Sequence, residues 1–266
     1  MLISEKNLRK IIRQSLLSDN LTSEVSIADV PVVGFGIKQN LEPEIWKSDE
    51  DLDMETRRQL VKISEDFINS LTIKAKIVDI RFTGSLANYN WSKYSDIDLH
   101  LVVDFSKIDD DRDLVKGYFD YKRTLWNNTH DIKISGYDVE IYVEDINEDH
   151  VSTGIYSVLK NTWIIKPEPI QSPDIKFSEV KKKAASFMTQ IDNLEKIVDR
   201  DPRKALGIAE RIKEKIRKFR SAGLDSEESQ FSSENIAFKV LRRTGYLKIL
   251  SDLKIKAYDT MMSIND

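Results

Sequence analysis

The sequence predicts an α+β protein, with an α/β unit followed by an all-helical C-terminal domain. Two apolar runs of strand length, 77–82 and 97–103, lie between stretches of helical periodicity. From Phe177 onward apolar residues recur at helical spacing, and prolines 167, 169 and 173 mark a linker before that point. With 266 residues, 40% of them hydrophobic, the chain can fill two modest cores.

The first expected part is residues 1–40. It opens with an amphipathic helix, because Leu8, Ile11, Ile12 and Leu16 recur at helical spacing, and continues as a looser segment. The second part, 41–168, carries a helix over about 54–71 that precedes the first strand. Its predicted inward stripe is Leu60, Ile63, Phe67 and Leu71.

After the second strand, the spacing predicts a helix over 108–128 that packs inward through Leu114, Tyr118, Tyr121 and Leu125. A hairpin follows, with Ser135-Gly136 as its turn, and the run around Trp163 is one more short strand.

The third part, 175–266, is predicted to be helical throughout. Asp201-Pro202 is a helix start with proline at the first position, and Ser233 with Glu234 starts a later helix. The helix from Pro202 is strongly basic, with Arg203, Lys204, Arg211, Lys213, Lys215, Arg217, Lys218 and Arg220. This face is either solvated surface or a wall that contacts a triphosphate, RNA or another polyanion.

Two aspartates interrupt the second apolar strand. Asp96 and Asp98 alternate with Ile97 and Leu99, so both carboxylates are expected on one face while the apolar residues enter the core. Neighbouring like charges repel unless a cation lies between them. Hard carboxylate oxygens on a strand suit Mg²⁺, which completes its shell with water and substrate phosphates. The alternative is an ordinary solvated strand face.

A turn that suits a phosphate precedes this strand. Gly84 lets the backbone approach a ligand closely, and Ser85 offers a hydroxyl beside the N–H groups of a short helix start. In the following loop, Ser92 and Lys93 are candidate contacts for phosphate oxygens. A nucleoside triphosphate with its metal ion would use both halves of this motif.

The pattern Thr83-Gly84-Ser85 followed by Ser95-Asp96-Ile97-Asp98-Leu99 resembles the nucleotidyltransferase superfamily typified by DNA polymerase β. Thr83 departs mildly from the hydrophobic residue usual there. The longer stretch of sequence from Thr83 to His100 resembles uncharacterised phage-associated nucleotidyltransferases. The resemblance implies a polymerase β-like core, a small mixed sheet flanked by helices.

The resemblance also implies a third carboxylate on a later strand. Glu140 is the candidate, with Asp138 as the fallback on the same face. Asp96, Asp98 and Glu140 would then hold two Mg²⁺ or Mn²⁺ ions, and the protein would transfer a nucleoside monophosphate from an NTP such as ATP, releasing pyrophosphate. RNA, a nucleotide, a protein or a small molecule could be the acceptor. The alternative is a nucleotide-binding or scaffold protein without turnover on the same fold.

The amino-acid composition excludes several classes of protein and kinds of site. The chain has no cysteine, which excludes disulfides and thiolate zinc sites. The net charge of -4 gives no global signature of polyanion binding. No apolar run approaches the length of a membrane span and the N-terminus does not resemble a secretory signal, so we expect a cytoplasmic protein with no membrane partner.

Overall fold

A computed structural model describes residues 25–149, 152–169 and 174–264. Their contacts divide the chain into two compact units. Within the described residues, the sheet unit extends from 34 to 169, and the helical unit combines 25–33 with 174–264. The described residues 25–33 therefore cluster with the C-terminal helices. The amphipathic helix predicted near the N-terminus lies outside the described residues.

The sheet unit is built on one six-stranded mixed sheet with the strand order β3-β4-β2-β1-β5-β6. Strands β2 and β4 are parallel, and the other neighbouring pairs are antiparallel. The strands are β1 (Ile77–Thr83), β2 (Ile97–Val103), β3 (Lys133–Ile134), β4 (Tyr137–Asp145), β5 (Ile155–Ser157) and β6 (Thr162–Ile165). Together with the six α-helices of the described residues, this sheet confirms the α+β class.

Helix α1 (Met54–Asn69) begins where predicted, because the Asp53 side chain accepts hydrogen bonds from the backbone N–H groups of Glu55 and Thr56. Leu60, Ile63 and Phe67 are buried along its inner stripe, as their spacing predicts.

The core of the sheet unit lies against the apolar face of β1 and β2. Its centre is an aromatic group in which Trp46 stacks on Phe82 at 5.5 Å and on Trp163 at 4.7 Å between ring centroids. The indole Nε1 of Trp46 also donates to the backbone oxygen of Leu86, 2.7 Å away. This packing fixes the short turn that follows β1.

Helix α2 (Arg112–Thr129) presents a different face from the one predicted. Val115 and Phe119 are buried, whereas Leu114, Tyr121 and Leu125 are 63%, 64% and 47% exposed. The prediction was wrong for these three residues, because two apolar stripes share this helix at the same spacing. Tyr118, the fourth predicted residue, is partly buried and packs against the core as expected. Phe119 stacks on buried Phe105 with centroids 5.3 Å apart, and this contact selects the inner stripe.

The helical unit contains α3 (Phe177–Ile197), α4 (Pro202–Leu224), α5 (Ser233–Arg243) and α6 (Tyr246–Met262). The predicted start of α4 is confirmed: Asp201 accepts from the N–H of Lys204, and Pro202 takes the first helical position. Ser232 caps α5 by accepting from the N–H of Asn235. Of the helices in the described ranges, none is long and apolar enough to cross a membrane.

Candidate functional site

The site residues on β2 and β4 face each other across a parallel strand pair. Asp98 is the register partner of Glu140, and His100 is the partner of Tyr142. Partners in register lie on the same face of a sheet, and neighbouring strands are about 4.8 Å apart. On β2 the half-buried Asp98 and His100 alternate with fully buried Ile97 and Leu99. The two carboxylates predicted to share a cation are thus direct neighbours.

Asp96 lies one residue before the start of β2. It is half-buried and continues the alternation of Asp98 and His100. The structure therefore brings the sequence-predicted carboxylates Asp96, Asp98 and Glu140 to the same end of the sheet. Within the described residues, no group of three or more His, Cys, Asp or Glu side chains is arranged to hold a metal ion.

The facing pair Asp98 and Glu140 matches a hard divalent cation in donor type alone, because carboxylate oxygens are the ligands that Mg²⁺ and Mn²⁺ prefer. Asp138, the fallback for the third position, forms an ion pair with Lys133 across the β3–β4 hairpin. The hydrogen bond that the Lys133 ammonium donates to Asp138 is the largest cause of the raised pKa of Lys133. Glu140 instead lies opposite Asp98 and accepts a 2.6 Å hydrogen bond from the Tyr142 hydroxyl.

Gly84 lies directly against the Asp98 carboxylate. Its backbone has φ +79° and ψ -163°, a region that residues with a side chain rarely adopt. A Cβ at this position would lie 1.9 Å from Asp98 Oδ2. Two reasons therefore require glycine at this position: the backbone conformation, and the lack of space for a Cβ beside the Asp98 carboxylate. The Gly-Ser turn and the Asp-bearing strand are therefore in direct contact.

A serine network joins the two halves of the motif. The Ser85 hydroxyl donates to Ser95 Oγ at 2.7 Å, and Ser95 Oγ accepts from the Ser92 backbone N–H at 3.0 Å. Ser95 immediately precedes Asp96. Lys93 is on an exposed turn, with its ammonium 5.0 Å from the centroid of the Tyr94 ring. The expected helix start is a single 3₁₀ turn, Ser85–Ala87, so it offers only a few backbone N–H groups.

A charged clamp across three strands was missed by the sequence analysis. The Glu144 carboxylate accepts from Arg81 Nη1 at 2.7 Å and contacts His100 Nδ1 at 3.0 Å. The Glu144 side chain is only 7% exposed, so its charge needs these partners. Two-residue alternation from Glu140 through Tyr142 to Glu144 was the available signal. Arg81 and His100 are partners in the β1–β2 register.

The clamp connects to the carboxylate pair through stacked rings. The imidazole of His100 stacks on Tyr142 with centroids 4.8 Å apart and planes 18° from parallel. The Arg123 guanidinium lies 4.9 Å from the centroid of the same Tyr142 ring. Glu140, Tyr142, His100 and Glu144 therefore form a continuous series of contacts on one sheet face.

Residues near β5 have structural contacts. Tyr156 is fully buried and packs edge-on against Trp163 at 5.0 Å. The Ser157 hydroxyl donates to buried Asp79 at 2.6 Å. Tyr156 is the register partner of Phe82 and lies on the core face. Ser157 is the partner of Arg81 and lies on the same face as the clamp, where its hydroxyl is used by Asp79.

Searches of protein-family models, curated proteins and solved structures find no match to this chain.

Proposed function

We propose that the chain is a metal-dependent nucleotidyltransferase, which transfers a nucleoside monophosphate from an NTP to an acceptor hydroxyl. The observation that carries the proposal is the facing pair Asp98 and Glu140, with Gly84 closed against Asp98. A solvated strand face does not need a glycine of this conformation packed on one of its carboxylates. The register and the turn both support a site that binds a ligand.

Asp96, Asp98 and Glu140 would hold the Mg²⁺ or Mn²⁺ ions. Such ions neutralise the charge of a triphosphate and lower the pKa of an acceptor hydroxyl. Tyr142 orients Glu140 through its 2.6 Å hydrogen bond, so the carboxylate is held on the face of Asp98.

The turn would position the triphosphate. Gly84 exposes backbone beside Asp98, and the Ser85 hydroxyl and the Ser92 backbone N–H both donate to Ser95 Oγ. The Ser92 hydroxyl accepts from the Tyr94 backbone N–H in the same loop. Lys93, on the exposed turn next to them, supplies positive charge for phosphate oxygens. In the reaction the acceptor oxygen forms a bond to the α-phosphorus. The bond from that phosphorus to the bridging oxygen breaks, and pyrophosphate leaves.

The test is nucleotide turnover by the full chain. The wild type is incubated with each labelled NTP, Mg²⁺ or Mn²⁺ and a panel of RNA, protein and small-molecule acceptors. We expect labelled product and pyrophosphate, both abolished in Asp96→Ala/Asp98→Ala. Metal-dependent NTP binding without turnover would instead support the nucleotide-binding alternative. Absence of NTP binding by the folded wild type would reject both functions.

A further inference from the structure

Helix α4 concentrates positive charge in a chain that is acidic overall. It carries eight basic and two acidic residues, whereas the net charge of the chain is -4. A helix needs no such imbalance to fold, because like charges on neighbouring turns repel. The imbalance therefore suggests an anionic partner.

The acidic residues of α4 neutralise little of this charge. Glu214 accepts two hydrogen bonds from Arg217, at 2.8 and 2.7 Å, and Glu210 pairs with Lys254 of α6 at 3.2 Å. Glu214 also lies 3.6 Å from the Lys218 ammonium, in an exposed pair of the kind that contributes little. Among the residues that the structure describes, Lys204, Arg211 and Lys215 form no ion pair with a carboxylate. Their charges face solvent.

Four basic residues align along one exposed face of α4. Lys204, Arg211, Lys215 and Lys218 follow one another at intervals of seven, four and three residues, each close to whole helical turns. At 1.5 Å per residue, this basic stripe extends over about 21 Å. The Lys215 ammonium lies 5.4 Å from the centroid of the Phe187 ring of α3.

The opposite face of α4 keeps the basic stripe in place. Ala205, Ala209, Ile212 and Ile216 are buried in the helical unit. The basic side chains thus extend from a helix whose backbone is already ordered. Less conformational entropy is therefore lost when a partner binds.

We propose that the basic stripe binds the phosphate backbone of a nucleic acid. Duplex DNA presents one negative charge per about 1.7 Å of its axis, so a row of cations along one helix can contact several phosphates at once. Contacts of this kind fix position and carry no sequence information, so binding is expected to be largely independent of sequence.

The surroundings of the basic stripe favour a nucleic acid over a membrane. A helix that binds a membrane surface inserts large apolar side chains beside its basic ones. The apolar face of α4 is buried, and its exposed large apolar residue, Leu224, lies at the last helical position. Because the basic stripe belongs to the helical unit, this binding does not depend on nucleotidyl transfer by the sheet unit.

Binding is measured by fluorescence anisotropy with labelled single-stranded RNA and duplex DNA of arbitrary sequence. The full chain is used without NTP, over about 50 to 200 mM salt. Four phosphate contacts predict a slope of log K against log[salt] of about -3 to -4. Arg211→Gln/Lys215→Gln/Lys218→Gln should weaken binding at least about tenfold and make the slope shallower by about 3.

The matched control is Lys62→Gln/Lys74→Gln/Lys76→Gln, which removes three exposed lysines from the sheet unit. Its binding should stay within about twofold of the wild type, since no phosphate contact is lost. Equal losses in both variants would overturn the proposal, because net charge alone would then explain the binding. Binding to anionic vesicles but to neither nucleic acid would also overturn it. Should the stripe variant fail to fold, a wild-type slope shallower than about -1 rejects the proposal.

Discussion

Substitution of Gly84 is expected to have two effects, a loss of stability from backbone strain and a loss of NTP binding from displacement of Asp98. In Gly84→Ala, the new Cβ would meet Asp98 Oδ2 and the positive φ would be strained. We expect a loss of about 1–3 kcal/mol in the free energy of unfolding. We also expect NTP binding to fall at least about tenfold, because the Asp98 carboxylate must move. Chemical denaturation and calorimetric NTP titration measure the two effects.

Gly136 is the matched control for this prediction. It has φ +84°, but a Cβ there would meet no atom within 4 Å. Gly136→Ala should therefore cost about 1 kcal/mol in stability and leave NTP binding unchanged. Weakened NTP binding in both variants would show that strain, and not contact with Asp98, is responsible.

Glu144 tests the clamp that joins β1, β2 and β4. Glu144→Gln removes the charge that pairs with Arg81 and contacts His100 in a nearly buried position. We expect unfolding to become easier by about 1.5–3 kcal/mol, the range for hydrogen bonds to charged groups. Urea denaturation of the wild type and the variant measures the difference.

Glu148→Gln is the control for the clamp, because it breaks an exposed ion pair with Lys116. Exposed pairs contribute about 0–1 kcal/mol, so its effect should be clearly smaller. If the two substitutions changed stability equally, the clamp would have no special role.

At the scale of elements, Asn127 of α2 completes the outer side of β4. Its side-chain amide donates to the backbone oxygen of Ile141 and accepts from the Ile141 N–H, both at 3.0 Å. The amide therefore satisfies a strand position beyond the short pairing with β3. It fixes β4 one residue after Glu140.

Asn127→Ala is expected to lower the free energy of unfolding by about 1–3 kcal/mol, because two backbone groups of β4 lose their partners. Amide hydrogen exchange at Ile141 should become faster. Asn128→Ala, on an exposed position of the same helix, is the control and should stay within about 0.5 kcal/mol of the wild type. Unchanged exchange at Ile141 in Asn127→Ala would contradict this role.

Elements with a single dominant pattern could be predicted from the sequence. Strand β2 begins with alternating apolar and polar residues, and α1 has one apolar stripe, so both were placed correctly. Helix α2 has two stripes of equal spacing, and only contact with Phe105 decides between them. Local periodicity contains no information about such a contact.

The same distinction applies to the site. Gly84 and Asp98 were identified from spacing, and their close contact follows from the antiparallel pairing of β1 with β2. The clamp of Arg81, His100 and Glu144 joins residues that are far apart in sequence. Its existence depends on strand order, which periodicity along one chain does not give.

At the scale of the whole molecule, buried tyrosines make the sheet unit sensitive to alkaline pH. Desolvation by burial raises the pKa of Tyr137, and its hydrogen bond to Glu42 raises it further. Burial likewise raises the pKa of Tyr89 and Tyr156. Above the unfolded tyrosine pKa of about 10, the folded chain retains protons that the unfolded chain loses.

Stability should therefore be fully present below about pH 10 and fall as the pH rises further, by up to about 1.4 kcal/mol per pH unit for each tyrosine. Urea denaturation between about pH 8 and 11 measures this slope. Tyr137→Phe should make this slope shallower, because it removes one of the groups whose pKa is raised by burial. An identical alkaline slope in the wild type and Tyr137→Phe would contradict the assignment.

The proposed function requires that Asp98 and Glu140 share a divalent cation with a bound triphosphate. This sharing is measured by Mn²⁺ binding in the presence of a non-hydrolysable NTP analogue, followed by electron paramagnetic resonance. Asp98→Asn and Glu140→Gln should each weaken Mn²⁺ binding at least about tenfold, whereas Asp138→Asn, which disrupts only the pair with Lys133, should bind as the wild type does. Wild-type Mn²⁺ affinity in Glu140→Gln would contradict the claim.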